Sequence, residues 1–287
     1  MWHLKRIPKK MHLYWGRNKK LSYMKYLTIK SFMKHNFGFT INIFYPKEPC
    51  KGINWGTPEQ KRYNYRYFDY FDCLKKFKNI NLIEFDFSKI LKNHRSVSEV
   101  HKSDLLRLFL LVHEGGFWSD FDILYTDSIE NSIINQEENE DIDTGICFFE
   151  NNSSIGFLFS SQQNKYYHNL LNRAYNSLLL NKDPSYQFIG RDIFNQIIYN
   201  AFKQNINLNK QFNVSLYNVP KEVVYPFNWL GIDEILGDGK LDKDSIGVHW
   251  FAGNDKISLY ENQIYQGNIE NYEGLIFDLM KEYDLRS

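Results

Sequence analysis

The sequence predicts an α/β fold, and two observations carry that prediction. Residues 11–45 follow a strand, helix, strand pattern, and the rest of the chain keeps alternating extended and helical segments without a break. Met11 to Trp15 is a short apolar run of strand character. Leu21, Met24, Leu27, Thr28 and Phe32 then recur at helical spacing on one side, and Gly38 is placed to end that helix. Phe39, Ile41, Ile43 and Tyr45 alternate with Thr40, Asn42 and Phe44 until Pro46, which is the two-residue period of a strand. This order implies a parallel βαβ unit. Parallel sheets take ligands at the carboxyl ends of their strands, which puts Trp15 and Gly16 where a nucleotide can lie.

Further along, Ile80 to Phe85 reads as a strand. Ser96 with Glu99 forms a capping box that opens a helix running to about Glu114. In that helix Leu105, Leu106 and Leu108 to Val112 are apolar nearly all round, so it is expected to be buried, and the polar Asp104 and Arg107 need a reason to be there. Gly115 and Gly116 terminate it, and Phe117 to Tyr125 follows as an extended segment. Strands are predicted at Gly145 to Phe149 and Ile155 to Phe159, and helices at Tyr166 to Leu180 and Asp192 to Lys203. The acidic run Glu137 to Asp143 reads as a solvated surface loop. With no repeat, low-complexity linker or composition break, residues 1–287 are taken as a single domain.

Composition narrows the function. At 43% hydrophobic residues, the chain can bury a substantial core. Its 35 basic and 34 acidic side chains create no global field toward nucleic acid or anionic lipid, so nucleic acid is not an expected partner. Cys50, Cys73 and Cys147 are odd in number and widely spaced, which fits neither a disulfide framework nor a zinc-ligand pattern and suits a reducing compartment. No run approaches the roughly 18 to 20 apolar residues of a transmembrane segment. Lysines stand where a signal peptide carries its apolar stretch, so the expected location is cytoplasmic.

The chemistry centres on Trp118-Ser119-Asp120-Phe121-Asp122. In an extended chain, residues two apart share a face, so the two carboxylates are expected to converge. Paired hard oxygen ligands suit Mg²⁺ or Mn²⁺ bridged to nucleotide phosphates. An acidic triplet alone is common; its context is not. Asp104 and Arg107 lie three apart on one helix face just upstream. They could be a plain intrahelical ion pair, but in an apolar helix such a pair gains little after desolvation. A guanidinium and a carboxylate also suit sugar hydroxyls.

Ser103-Asp104-Leu105-Leu106-Arg107, followed by Gly115-Gly116-Phe117-Trp118-Ser119-Asp120-Phe121-Asp122, resembles glycosyltransferases with a DXD-containing sugar-binding region. These include mannosyltransferases, capsular-polysaccharide enzymes and, more distantly, clostridial glucosylating toxins. The resemblance implies a GT-A fold, a Rossmann-like nucleotide-binding mixed sheet flanked by helices. It also implies that Asp104 and Arg107 hold donor-sugar hydroxyls, that Asp120 contacts ribose and sugar, and that Asp122 ligates the metal. Trp118 stands where the family usually has Tyr.

Three further segments extend the likeness. Ile7 to Gly16 is similar to the family's opening strand, which implies that Trp15 stacks on the donor base with Tyr14 and Gly16 beside it. Tyr225-Pro226-Phe227 resembles a structural segment. His249-Trp250-Phe251-Ala252-Gly253-Asn254 resembles the C-terminal metal and diphosphate motif, implying that His249 joins Asp120 and Asp122 on the metal and that Asn254 and Lys256 contact the diphosphate. Asp255 departs from the usual aromatic, and Gly190-Arg191-Asp192 replaces a Gly-Pro turn near the acceptor side.

The reading is a metal-dependent glycosyltransferase with Asp104, Arg107 and Asp120 as its catalytic residues, and with retention implied by the resemblance. Its cofactor is Mn²⁺ or Mg²⁺. Its donor is a nucleotide sugar, UDP-linked in preference to GDP-linked, and its acceptor a glycan or lipid-linked glycan. A nucleotidyltransferase would carry a glycine-rich, Arg/Lys-containing N-terminal loop that this sequence lacks. A non-catalytic nucleotide-sugar-binding protein is the rival from another class, and the intact Asp104, Arg107, Asp120, Asp122 and His249 argue against it.

Overall fold

The computed structural model describes residues 6–50, 62–133, 141–180 and 185–284. The opening βαβ unit is present as β1 (Lys10–Tyr14), α1 (Tyr23–His35) and β2 (Thr40–Pro46). Ser22 caps α1, its hydroxyl accepting from the Lys25 amide. Strand β3 (Ile80–Phe85) and helix α2 (Glu99–His113) follow, then β4 (Gly116–Ser119), β5 (Ile123–Tyr125) and α3 (Ile129–Ile133). Next come β6 (Thr144–Phe149), β7 (Asn152–Ser160), α4 (Lys165–Leu180), α5 (Arg191–Lys203), α6 (Leu208–Phe212) and β8 (Leu216–Asn218). The C-terminal part contains α7 (Lys221–Val224), α8 (Ile232–Leu236), β9 (Gly247–His249), α9 (Asp255–Gln263) and α10 (Leu275–Lys281).

Seven strands form one mixed sheet in the order β3-β2-β1-β4-β7-β6-β8. The half from β3 to β4 is parallel, β7 runs antiparallel to both β4 and β6, and β8 pairs parallel with β6. A parallel, Rossmann-like half continuing into an antiparallel one, with helices on both faces, is the mixed α/β sheet expected from the sequence.

Strand alternation divides the core. Phe117 joins a layer with Met11, Leu27 and Phe32 of β1 and α1, whereas Trp118 joins the opposite layer with Leu106 of α2, Leu170 of α4 and Phe194 of α5. His12, fully buried in β1, meets the Gly115 carbonyl at 2.8 Å. Burial pushes its pKa down to about 4, so the ring is neutral. No described helix is long and apolar enough to cross a membrane.

Three expectations are corrected. The cap of α2 is Ser98, whose hydroxyl accepts from the His101 amide at 3.2 Å, while Ser96 donates to the Asn93 carbonyl and Glu99 turns inward. The segment from Phe117 to Tyr125 is not one extended run, because β4 stops at Ser119 and a turn intervenes before β5. The acidic run is not wholly a solvated loop. Residues 137–140 lie outside the described residues, Asp141 is exposed, and Asp143 is buried, where it accepts from the Thr144 hydroxyl and the Ser215 amide.

The turn between β4 and β5 sets up the site. β4 belongs to the large sheet, whereas β5 pairs antiparallel with β9 in a separate two-stranded sheet, with Ile123 opposite His249. At the head of β4, Gly116 has φ +95°, and a Cβ there would lie 2.7 Å from the Lys10 carbonyl. Only glycine allows β1 and β4 to approach this closely at that backbone angle.

Candidate active site

Asp120 and Asp122 lie on the β4–β5 turn, and the β5–β9 ladder carries His249 across from the far end of the sequence. Trp250 donates its amide to the Asp122 carbonyl at 2.8 Å, so the two segments are joined by backbone next to the side chains that matter. One ligand atom each from Asp120, Asp122 and His249 lies within 4.8 Å of the others. Strand alternation was the expected cause of carboxylate convergence; the turn achieves it instead.

Each carboxylate is fixed by different partners. Asp120 Oδ1 accepts from Trp118 Nε1 at 2.9 Å and Arg107 Nη2 at 3.1 Å, and its backbone amide donates to the Gly156 carbonyl at 2.8 Å. A Cβ on Gly156 would lie 3.0 Å from Asp120 Oδ2, so this position in β7 leaves the room that Asp120 occupies. Asp122 Oδ2 accepts from the Ala252 amide at 3.0 Å, and its Oδ1 lies 3.3 Å from His249 Nε2. Burial by itself would raise the Asp122 carboxyl. His249, Lys25 and the Ala252 amide outweigh it and hold the group well below the usual carboxylate range.

The Asp104–Arg107 pair is more than an intrahelical contact. Arg107 Nη2 lies 3.3 Å from Asp104 Oδ1 and also reaches Asp120, while Nη1 donates to the Ile155 carbonyl at 2.6 Å. Its guanidinium carbon sits 4.8 Å from the Trp118 ring centre. One planar cation thereby ties α2, β7 and the carboxylate turn together.

Burial, the largest influence, raises the Asp104 carboxyl to about 7, with Arg107 opposing and Asp120 adding to the rise. Because this pKa is raised on folding from about 3.8, the contribution of Asp104 to stability is full at low pH and is lost as pH rises toward 7. Chemical denaturation of the metal-free protein at pH 4 to 8 is expected to show Asp104→Asn gaining on the parent as pH rises, with the gap levelling above 7. A gap independent of pH would contradict the raised value.

These groups open into a cleft of about 870 Å³. Trp15 lines it with its ring edge-on to Tyr63 at 6.0 Å and to Phe121 at 5.8 Å, its indole N–H donating to the Lys19 carbonyl. Tyr14 also lines the cleft and donates its hydroxyl to Glu99. Gly16 packs on Glu99, whose Cγ would be 2.8 Å from a Cβ there. Trp118 is buried and acts on the site through its bonds to Asp120 and Arg107.

Three sequence-predicted residues are not brought to the cleft wall: Trp118, which is buried behind it, Asn254 and Lys256. Lys256 pairs with Asp233 at 2.5 Å on an exposed surface, and Asn254 caps α9 by accepting from the Lys256 amide at 3.0 Å.

Sequence reasoning missed the fully buried Glu261 of α9, whose Oε1 accepts from Lys25 at 2.5 Å and from Ser22 at 2.6 Å. The Lys25 ammonium lies 5.9 Å from the Trp15 ring centre and beside Asp122, so the pair supports both ends of the donor region. Its partners are 236 residues apart, and no local pattern announces them. Glu99 could have been found, since a buried acid one position after the true cap invites a partner.

Residues 54–140 match the family model described as the glycosyltransferase sugar-binding region containing DXD motif. The match takes in Asp104, Arg107 and the Asp120–Asp122 turn and covers less than half of the chain. No curated protein sequence matches the chain. Among solved structures, the chain is similar to the PaToxG glycosyltransferase, with 14% identity, 97% of this chain and 87% of that one covered, and a TM-score of 0.49. It is also similar to the apo form of glycosyltransferase GlyE from Streptococcus pneumoniae TIGR4, with 11% identity and a TM-score of 0.48, the match covering 98% of this chain and 61% of that one. An active-site mutant of LgtC matches with 13% identity, coverage of 84% and 87%, and a TM-score of 0.40.

Proposed function

We propose that this protein is a metal-dependent glycosyltransferase that moves a sugar from a nucleotide-sugar donor to a glycan or lipid-linked glycan with retention of anomeric configuration. The observation that carries the reading is the meeting of Asp120, Asp122 and His249 within 4.8 Å at the cleft, the two aspartates lying inside the segment that matches the family model. Two carboxylate oxygens and an imidazole nitrogen suit Mn²⁺, or Mg²⁺. A divalent cation held there supplies charge stabilisation for the departing diphosphate, on the order of several kcal/mol.

The chain's own groups do the rest. Asp104 and Arg107 hold sugar hydroxyls, and Arg107 Nε, buried and without a hydrogen-bond partner among the described residues, offers a further donor. Asp120 is shared between Arg107 and the metal position, so sugar and diphosphate are oriented by one connected set. Trp15, with Tyr14 and Gly16 beside it, takes the base, uracil in preference to guanine by the toxin-like resemblance. With no side chain marked as an inverting base, the acceptor attacks from the face the diphosphate leaves, and a phosphate oxygen takes its proton.

A thermal-shift screen of UDP- and GDP-sugars with and without Mn²⁺ tests this reading, because a ligand that binds only the native state raises its stability. A shift that requires both sugar nucleotide and metal is expected; none across the panel would defeat it. Within that assay, Trp15→Ala is expected to weaken nucleotide binding by about 1 to 3 kcal/mol, the usual range for a lost base stack. Unchanged affinity in a folded variant would make Trp15 a core residue.

A further inference from the structure

Beyond the donor groups, the cleft contains a run of rings. Phe149, at the end of β6, meets Tyr225 at 5.6 Å between centroids, and Tyr225 meets His249 at 5.2 Å. His249 meets Phe251 at 4.3 Å, and Phe251 meets Trp229 at 5.8 Å. All five line the cleft, and they form one wall that passes directly over a candidate metal ligand. Trp15 and Tyr63, where the base is placed, belong to another part of the lining, and among the described residues their ring contacts are with each other and with Phe121.

Three features distinguish the wall from core packing. Trp229 is 45% exposed and the adjoining Leu230 89% exposed, a large apolar area facing water. The turn that presents Trp229 is fixed, because Asn228 Oδ1 accepts from the Leu230 and Gly231 amides, both at 2.9 Å. Phe251 has φ +51°, a costly angle for an aromatic residue. Polar groups stand at the opposite end of the wall. Ser153 Oγ is buried, lines the cleft, and has no hydrogen-bond partner among the described residues, and Asn152 lies beside it. Aromatic faces with a few placed hydroxyl and amide groups suit a ring that has apolar C–H faces and hydroxyl edges.

We infer that this wall is the acceptor subsite and that the acceptor presents a pyranose ring stacked on Trp229. The inference rests on the glycosyltransferase reading, since it takes the donor to lie on the Trp15 side of the metal candidates. It assigns the acceptor class by surface chemistry and requires no lipid or peptide contact.

The test follows the indole N–H signals of the full chain with UDP and Mn²⁺ present, the Trp229 signal being the one missing from Trp229→Phe. Methyl glycopyranosides at millimolar concentration are expected to shift it, while sorbitol, a serine- and tyrosine-containing peptide and a short alkyl detergent leave it in place. Trp229→Ala is expected to weaken pyranoside binding about tenfold and to leave UDP–Mn²⁺ affinity within about twofold. Intact UDP–Mn²⁺ binding with no pyranoside shift, or a shift with only the peptide or detergent, overturns the acceptor assignment alone. Loss of UDP affinity in Trp229→Ala places Trp229 in the donor site and overturns it too. Failure of the parent to bind any nucleotide with Mn²⁺ overturns the donor reading beneath it.

Discussion

Asp122→Asn is expected to abolish metal-dependent donor binding. The amide keeps the shape of the carboxylate and can still accept from the Ala252 amide, so the β5–β9 junction should persist. What it removes is the negative charge that a hard cation requires. Altering even groups outside the direct ligand set of metal sites costs on the order of 10–100-fold in affinity, and a ligand itself should cost at least that. Calorimetric titration of nucleotide sugar with Mn²⁺ measures the effect, with the unfolding midpoint confirming that the variant is folded. Parent-like binding would remove Asp122 from the metal site.

Arg107→Ala is expected to have the largest effect on stability. The guanidinium is buried and holds Asp104, Asp120 and the Ile155 carbonyl at once. Truncation leaves Asp104 buried without its cation, and breaking a buried pair from one side costs about 3–5 kcal/mol. Arg107→Lys should rescue little, since one ammonium on a flexible stem cannot reproduce a planar fork shared by three acceptors. Asp104→Asn added to Arg107→Ala should recover little at neutral pH, because without the opposing cation the buried Asp104 carboxyl takes up a proton. Urea unfolding reads all four proteins. A loss below about 1 kcal/mol in Arg107→Ala would show that the cation does not brace the site.

The parallel half of the sheet was legible because its elements are local patterns. Period two in β2 and helical spacing in α1 each need only a few neighbouring residues. The apolar circumference of α2 likewise announced a buried helix, and its two polar interruptions proved to be the brace of the carboxylate turn. Caps and turns were less legible. Ser96 and Ser98 both fit a cap, and the choice was made by Glu99, which binds Tyr14 of β1 and Lys102 one turn along its own helix. The Asp120–Asp122 turn was read as strand because its sequence carries no glycine or proline; the change of sheet partner bends it.

Long-range pairing was hidden altogether. His249 could be linked to Asp122 only through family resemblance, because the β5–β9 ladder that joins them is two short three-residue strands. The buried Lys25–Glu261 pair had no signal, since a lysine three residues after a helix cap reads as exposed until the facing helix is known. The aromatic wall from Phe149 to Trp229 is likewise assembled from three separate segments.

The measurement that tests the central claim most directly is proton NMR of the full chain incubated with α-linked UDP- and GDP-sugars, with Mn²⁺ or with a chelator. At least one donor is expected to be consumed only in the presence of metal, to release its nucleoside diphosphate, and to give a first sugar product of α configuration. A β-configured first product would contradict retention. Consumption unaffected by the chelator, or no consumption of any donor with Mn²⁺ present, would contradict the assignment of Asp120, Asp122 and His249 to a metal-dependent glycosyl-transfer site.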